Sequence, residues 1–227
     1  MLRPMLFLHW KQIRMALVPF VVVAFGLPLM ATDGLDAPGG AGGGPDAYAI
    51  LGALDVWLPY FPLLALAIGV TLALSAWNWD HQLNHVYALA LPVSRAEYAL
   101  QKMIAGATLA AVPALALWLG AHVAASSIAL PEGLRAYPNE LAVRFLMATL
   151  LAYAAFFAMA AGTVKTTMRL VTAVTVVLLF VTVGWETFAP DFERLARTNA
   201  VDVLVEWLTT APGPLEVFTG SWALIDV

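Results

Sequence analysis

Residues 15–30 read MALVPFVVVAFGLPLM, an uncharged run preceded by Arg3, Lys11 and Arg14 and followed by Asp33 and Asp36. Extended to Thr32, the run is just long enough to cross a hydrocarbon core of ~30 Å at ~1.5 Å per residue. Four more apolar runs follow, over residues 56–77, 103–126, 145–164 and 170–184, and the charges between the runs are sorted by sign. Arg3, Lys11, Arg14, Arg95, Lys102, Lys165 and Arg169 gather in every second connection, where Asp80 and Glu97 are the only two of the chain's 15 acids. Basic connections stay on the cytoplasmic side. The chain therefore reads as an all-α polytopic membrane protein with about five transmembrane helices and a cytoplasmic N-terminus.

Composition points the same way. At 62% hydrophobic and 11% charged, with a mean hydropathy of +0.83, the 227 residues lack the polar surface to enclose a soluble core, so lipid must cover much of the chain. The formal charge of -4 argues against a nucleic-acid partner only weakly, since the net value hides the sidedness of the charges. The absence of cysteine excludes a disulfide framework, a thiolate metal site and a cysteine nucleophile. Residues 1–32 do not read as a cleavable signal, because the basic region is long, the apolar run exceeds an h-region and Met30-Ala31-Thr32-Asp33 is a poor cleavage site.

Residues 1–14 form an expected interfacial helix, with Leu2, Leu6 and Ile13 on one stripe, Arg3, Lys11 and Arg14 on the adjacent arc and Trp10 at headgroup depth. The outer loop after the first span holds a Gly-rich stretch, Gly39 to Pro45, without the Lys-Ser or Lys-Thr that a phosphate-binding loop needs. Pro59 and Pro62 are expected to bend the outer third of the second span. Gly106, Ala110 and Ala114, and again Ala154, Ala158 and Gly162, recur every four residues and offer faces for close helix packing. Lys165 to Arg169 makes a basic inner turn, and residues 185–227 form an outer segment in which Val201, Leu204, Val205 and Leu208 share the apolar face of an amphipathic helix.

Charges are nearly absent from the middles of the spans, where each costs ~2.5–3.5 kcal/mol, so the chain has no proton relay or voltage-sensing row of its own. Polar groups concentrate in residues 78–102. There His81 and His85, at i and i+4, either face one metal with Asp80 or His9 as a third ligand, or serve as caps and interfacial hydrogen-bonding groups that support the segment. Pro92 ends the preceding helix, Ser94 can act as an N-cap and Glu97 completes the capping box, so a short helix in the membrane plane starts here. That start is either the head of the third span or a docking surface. Asp80 has Arg95 and Lys102 as the cations within reach for a charge-assisted hydrogen bond.

The run His85-Val86-Tyr87-Ala88-Leu89-Ala90-Leu91-Pro92-Val93-Ser94-Arg95-Ala96-Glu97-Tyr98, between the second and third spans and a few residues after Asp80, resembles the signature of ABC type-2 exporter permeases. The resemblance implies a transport subunit and not an enzyme: two six-helix halves form the path, and each half presents a coupling helix to a separate cytoplasmic ABC ATPase that holds the ATP and Mg. Leu91, Pro92, Val93, Ser94, Arg95 and Glu97 would be that coupling helix, residues 1–14 the elbow helix, and Lys165 with Arg169 a second inner contact. The partner set it implies is the ATPase, a second permease copy or sister permease, and the bilayer of the inner or plasma membrane. The family's sixth span is expected but missing, since residues 220–227 stop where it would begin. Cargo is expected to be hydrophobic or amphipathic. Two other readings stand beside this one: a His-based membrane metalloenzyme or haem protein using His81, His85 and His9, and a non-transporting assembly subunit.

Overall fold

The computed structural model describes residues 2–33, 35, 47–82, 94–128, 130–131, 133–162, 165–166, 169, 172, 216–219 and 221–226. The chain divides into two compact units, Met1–Phe157 with Ser221–Val227, and Ala158–Gly220. The first holds α1 (Leu2–Thr32), α2 (Ala47–Asp55), α3 (Tyr60–Gln82), α4 (Arg95–Ser127), β1 (Arg135–Ala136), most of α5 (Pro138–Ala160) and, after α6 (Glu216–Thr219) of the second unit, β2 (Ile225–Asp226). Among the described residues, four helical stretches are long and apolar enough to cross a membrane: His9–Thr32, Ala47–Asn78, Arg95–Ser127 and Pro138–Ala160. Val18, Val22, Leu63, Leu74, Leu115, Leu119, Val143 and Met147 are exposed along them, as lipid-facing side chains are. The expected fifth span, apart from Thr172, the Gly-rich loop and the amphipathic helix near Val201 lie outside the described residues.

Several boundaries differ from those read off the sequence. The expected interfacial helix and first span are one unbroken helix, because no breaker lies between Trp10 and Pro19 and the buried stripe His9, Ile13, Leu17, Ala24, Leu27, Ala31 runs through the supposed junction. Pro59 lies in the turn that joins α2 to α3, closed by Trp57 N–H to Leu54 O at 2.8 Å and Tyr60 N–H to Trp57 O at 3.1 Å. Pro62 then occupies the first turn of α3, where its missing N–H costs nothing, so these prolines start a helix and do not bend one. α5 begins at Pro138 for the same reason, seven residues ahead of the expected span.

The Ser94 cap forms as the sequence implied: Ser94 is extended (φ -67, ψ 148) and its Oγ accepts a hydrogen bond from Glu97 N at 3.2 Å. The helix it starts is not short. α4 runs 33 residues to Ser127, since the chain meets no proline until Pro113. α4 ends at an extended Ile128, and Gly133 turns the loop with φ +98, a left-handed conformation that favours glycine. β1 and β2 then pair antiparallel, Arg135 opposite Asp226 and Ala136 opposite Ile225.

Small residues set the helix spacing inside the first unit. A side chain at Gly120 of α4 would collide with the Phe25 carbonyl of α1, one at Gly106 with the Tyr153 ring of α5, and one at Gly69 of α3 with Ala152 and the backbone of Thr149 and Tyr153 in α5. Without a solvent-driven force between spans, such backbone approach supplies the van der Waals contact that holds helices together. Gly106, Ala110 and Ala114 are buried as their spacing suggested. Within the first unit the packed face of α5 carries Leu141, Phe145, Ala148, Ala152 and Tyr153, whereas Ala154 and Ala158 are exposed.

Candidate functional site

The last turns of α3 and the first turns of α4 face each other through residues spaced for one helix side: Ala76 and Asp80 at i, i+4 on α3, Tyr98 and Lys102 at i, i+4 on α4. Lys102 Nζ donates to the Ala76 carbonyl at 2.7 Å and forms a close ion pair with Asp80 Oδ2. Tyr98 Oη donates to Asp80 at 3.0 Å to Oδ1 and 3.3 Å to Oδ2. The ammonium also lies 4.6 Å from the Trp77 ring centroid and 4.8 Å from that of Tyr98, within cation–π range. Asp80 is 2% exposed and Lys102 5%, so the pair is withdrawn from water.

Two further helices close around it. His9 of α1 is 2% exposed and within electrostatic reach of both charges, and its Nε2 meets no hydrogen-bond partner among the described residues. Tyr153 of α5 donates its hydroxyl to the Lys102 carbonyl at 3.2 Å, and the ring series Tyr153, Phe157, Trp77 packs at centroid spacings of 5.5 and 5.1 Å.

Taking two charges out of water costs several kcal/mol per ion, and mutual attraction with added hydrogen bonds returns roughly that cost. The pair therefore adds little net stability, while its rupture leaves a bare buried charge. It acts as a clasp in which each charge has the other as its one ion-pair partner among the described residues. Its position decides what it can do: it fastens together the two feet of residues 83–93, the stretch that joins α3 to α4.

Of the residues singled out in the sequence, Leu91, Pro92, Val93 and His85 lie outside the described residues. Ser94, Arg95 and Glu97 are exposed at the head of α4, and His81 is half-buried at the end of α3. Asp80 chooses Lys102 and not Arg95, which is about two turns too early on α4 and exposed. Lys165 and Arg169, in the second unit, are exposed, and Gly162 packs near Thr166. Among the described residues no three His, Asp or Glu side chains group as metal ligands. Tyr98, Trp77 and Tyr153 were missed as partners of the clasp; the i, i+4 spacing of Tyr98 and Lys102 was the available signal.

No family model, curated protein or solved structure matches the chain.

Proposed function

We propose that the chain is the membrane-spanning permease subunit of an ATP-driven ABC type-2 exporter. It sits in the cell membrane with its N-terminus in the cytoplasm, docks a separate ATPase through residues 91–97 and pairs with a second permease copy or a sister permease. The observation that carries this reading is the clasp at both feet of residues 83–93, next to a capped helix start that leaves Arg95, Ala96 and Glu97 exposed. A partner pushing on that stretch moves α3 and α4 together, because Lys102 and Asp80 cannot part without stranding a charge. The chain does no covalent chemistry in this reading. Hydrolysis belongs to the partner, and the cargo is hydrophobic or amphipathic. Replacing Val93 and Arg95 together with Asp tests it: loss of ATPase co-purification and stimulation, in a variant that still inserts and stays monodisperse, is the expected result. A double variant that binds and couples like the parent overturns it.

A further inference from the structure

α1 has two unlike sides. His9, Ile13 and Leu17 turn into the first unit, whereas Phe7, Lys11, Arg14, Val18, Val22 and Phe25 are exposed and follow one another at three or four residues, the repeat of a single helix face. Trp10 is exposed beside the two cations, one turn before Arg14.

The exposed face changes character along its length. Lys11 and Arg14 form no ion pair among the described residues, and residues 1–32 contain no Asp or Glu. From Val18 to Phe25 the face is apolar. Arg14 to Thr32 spans ~27 Å, close to the ~30 Å of a hydrocarbon core, so α1 in a bilayer carries Lys11, Arg14 and Trp10 at headgroup depth. Arg14 to Phe25 spans ~16 Å, about one leaflet of that core. Unpaired cations at phosphate depth, joined to one leaflet's depth of apolar side chains, complement an anionic head on a hydrocarbon tail. An acidic protein segment would leave Val18, Val22 and Phe25 uncovered, and a zwitterionic phospholipid brings no net charge to the cations.

We infer that this face of α1 binds an anionic phospholipid from the leaflet at the Leu2 end, with the phosphate on Lys11 and Arg14 and an acyl chain along Val18 to Phe25. The guanidinium of Arg14 offers a planar fork of donors matched to phosphate oxygens, and the Lys11 ammonium adds a point charge one turn away. This face is separate from the exporter reading, since it uses neither residues 83–93 nor an ATPase.

The full chain is placed in nanodiscs of phosphatidylcholine with a minor fraction of phosphatidylglycerol, and native mass spectrometry reads the lipid it retains. Each Lys or Arg near an anionic surface contributes about 5-fold in affinity, so phosphatidylglycerol should be retained roughly 5- to 25-fold above its bulk fraction. Added salt should lower that enrichment. Lys11→Gln combined with Arg14→Gln should bring retention down to the bulk fraction, and both side chains are exposed, so the fold tolerates the change. Lys11→Arg combined with Arg14→Lys keeps both charges and should keep the enrichment, as should Arg95→Gln, at the exposed head of α4. The assignment is overturned by a parent chain without enrichment, by a Gln pair that retains phosphatidylglycerol as the parent does, by a charge-conserving pair that loses it, or by an Arg95→Gln loss as large as that of the Gln pair. A Gln pair that keeps its phosphatidylglycerol and loses a parental dimer gives the face to a second copy, and overturns the assignment equally.

Discussion

Replacing Lys102 with Met removes the cation from a carboxylate that is 2% exposed and leaves Asp80 with the Tyr98 hydroxyl as its one hydrogen-bond partner among the described residues. Stranding one member of a buried ion pair costs about 3–5 kcal/mol. Asp80→Asn should cost less, about 2–3 kcal/mol, because Lys102 keeps the Ala76 carbonyl and two ring faces, and each cation–π contact is worth ~0.5–2 kcal/mol. Combining the two substitutions removes both charges while Asn can still accept from Tyr98, so the double variant should lose only about 1–2 kcal/mol, less than either single variant. Reversible unfolding in bicelles titrated with dodecyl sulfate, followed by circular dichroism, measures all four chains. A Lys102→Met loss under ~1 kcal/mol, or a double variant whose loss equals the sum of the singles, would refute the clasp.

Gly120→Ala places a methyl group against the Phe25 carbonyl, which cannot rotate away, and should cost ~1–3 kcal/mol in the same assay; Gly26→Ala, with open space around it, should be neutral or slightly stabilising. Ser94→Ala should cost ~1 kcal/mol, or fray the head of α4 to hydrogen exchange, whereas Ser94→Asp should hold parental protection. Under the proposed topology, an impermeant thiol reagent applied outside should label Gly42→Cys and Thr198→Cys and spare Ser94→Cys and Thr166→Cys; the opposite pattern would reverse the orientation.

The four apolar helices were legible because hydrophobic runs of this length allow few alternatives to a span. Their ends were less so. Asn139, Glu140 and Arg144 read as loop residues because they are polar, yet Pro138 is a helix-start signal and the three face a cavity or a neighbouring helix: Asn139 Oδ1 takes a hydrogen bond from Trp118 Nε1 at 2.8 Å. The β1–β2 pairing joins residues some 90 positions apart through two residues each, too short to leave an alternating pattern. At the site, Asp80 stood out as a lone acid near a span end. The burial of Lys102 did not, since a lysine after Glu97 and Gln101 reads as solvated until the facing helix is in place. His9 was singled out only as a metal ligand; its burial beside the ion pair follows from the continuity of α1 past Arg14.

α4 is 33 residues long, ~50 Å against a hydrocarbon core of ~30 Å, and at Gly120 it lies directly on the Phe25 carbonyl of α1. Backbone resting on backbone, with no side chain between, makes that crossing a fulcrum and the rest of α4 a beam. From Gly120 to Arg95 the beam measures ~37 Å, so a tilt of ~5° sweeps its free tip by ~3 Å. α3 is bolted to the same beam at Lys102, about two turns from the tip, and travels with it. In the proposed exporter, a push at residues 83–93 would swing α3 and α4 together about Gly120, with Pro113 inside the beam as the place where it can flex.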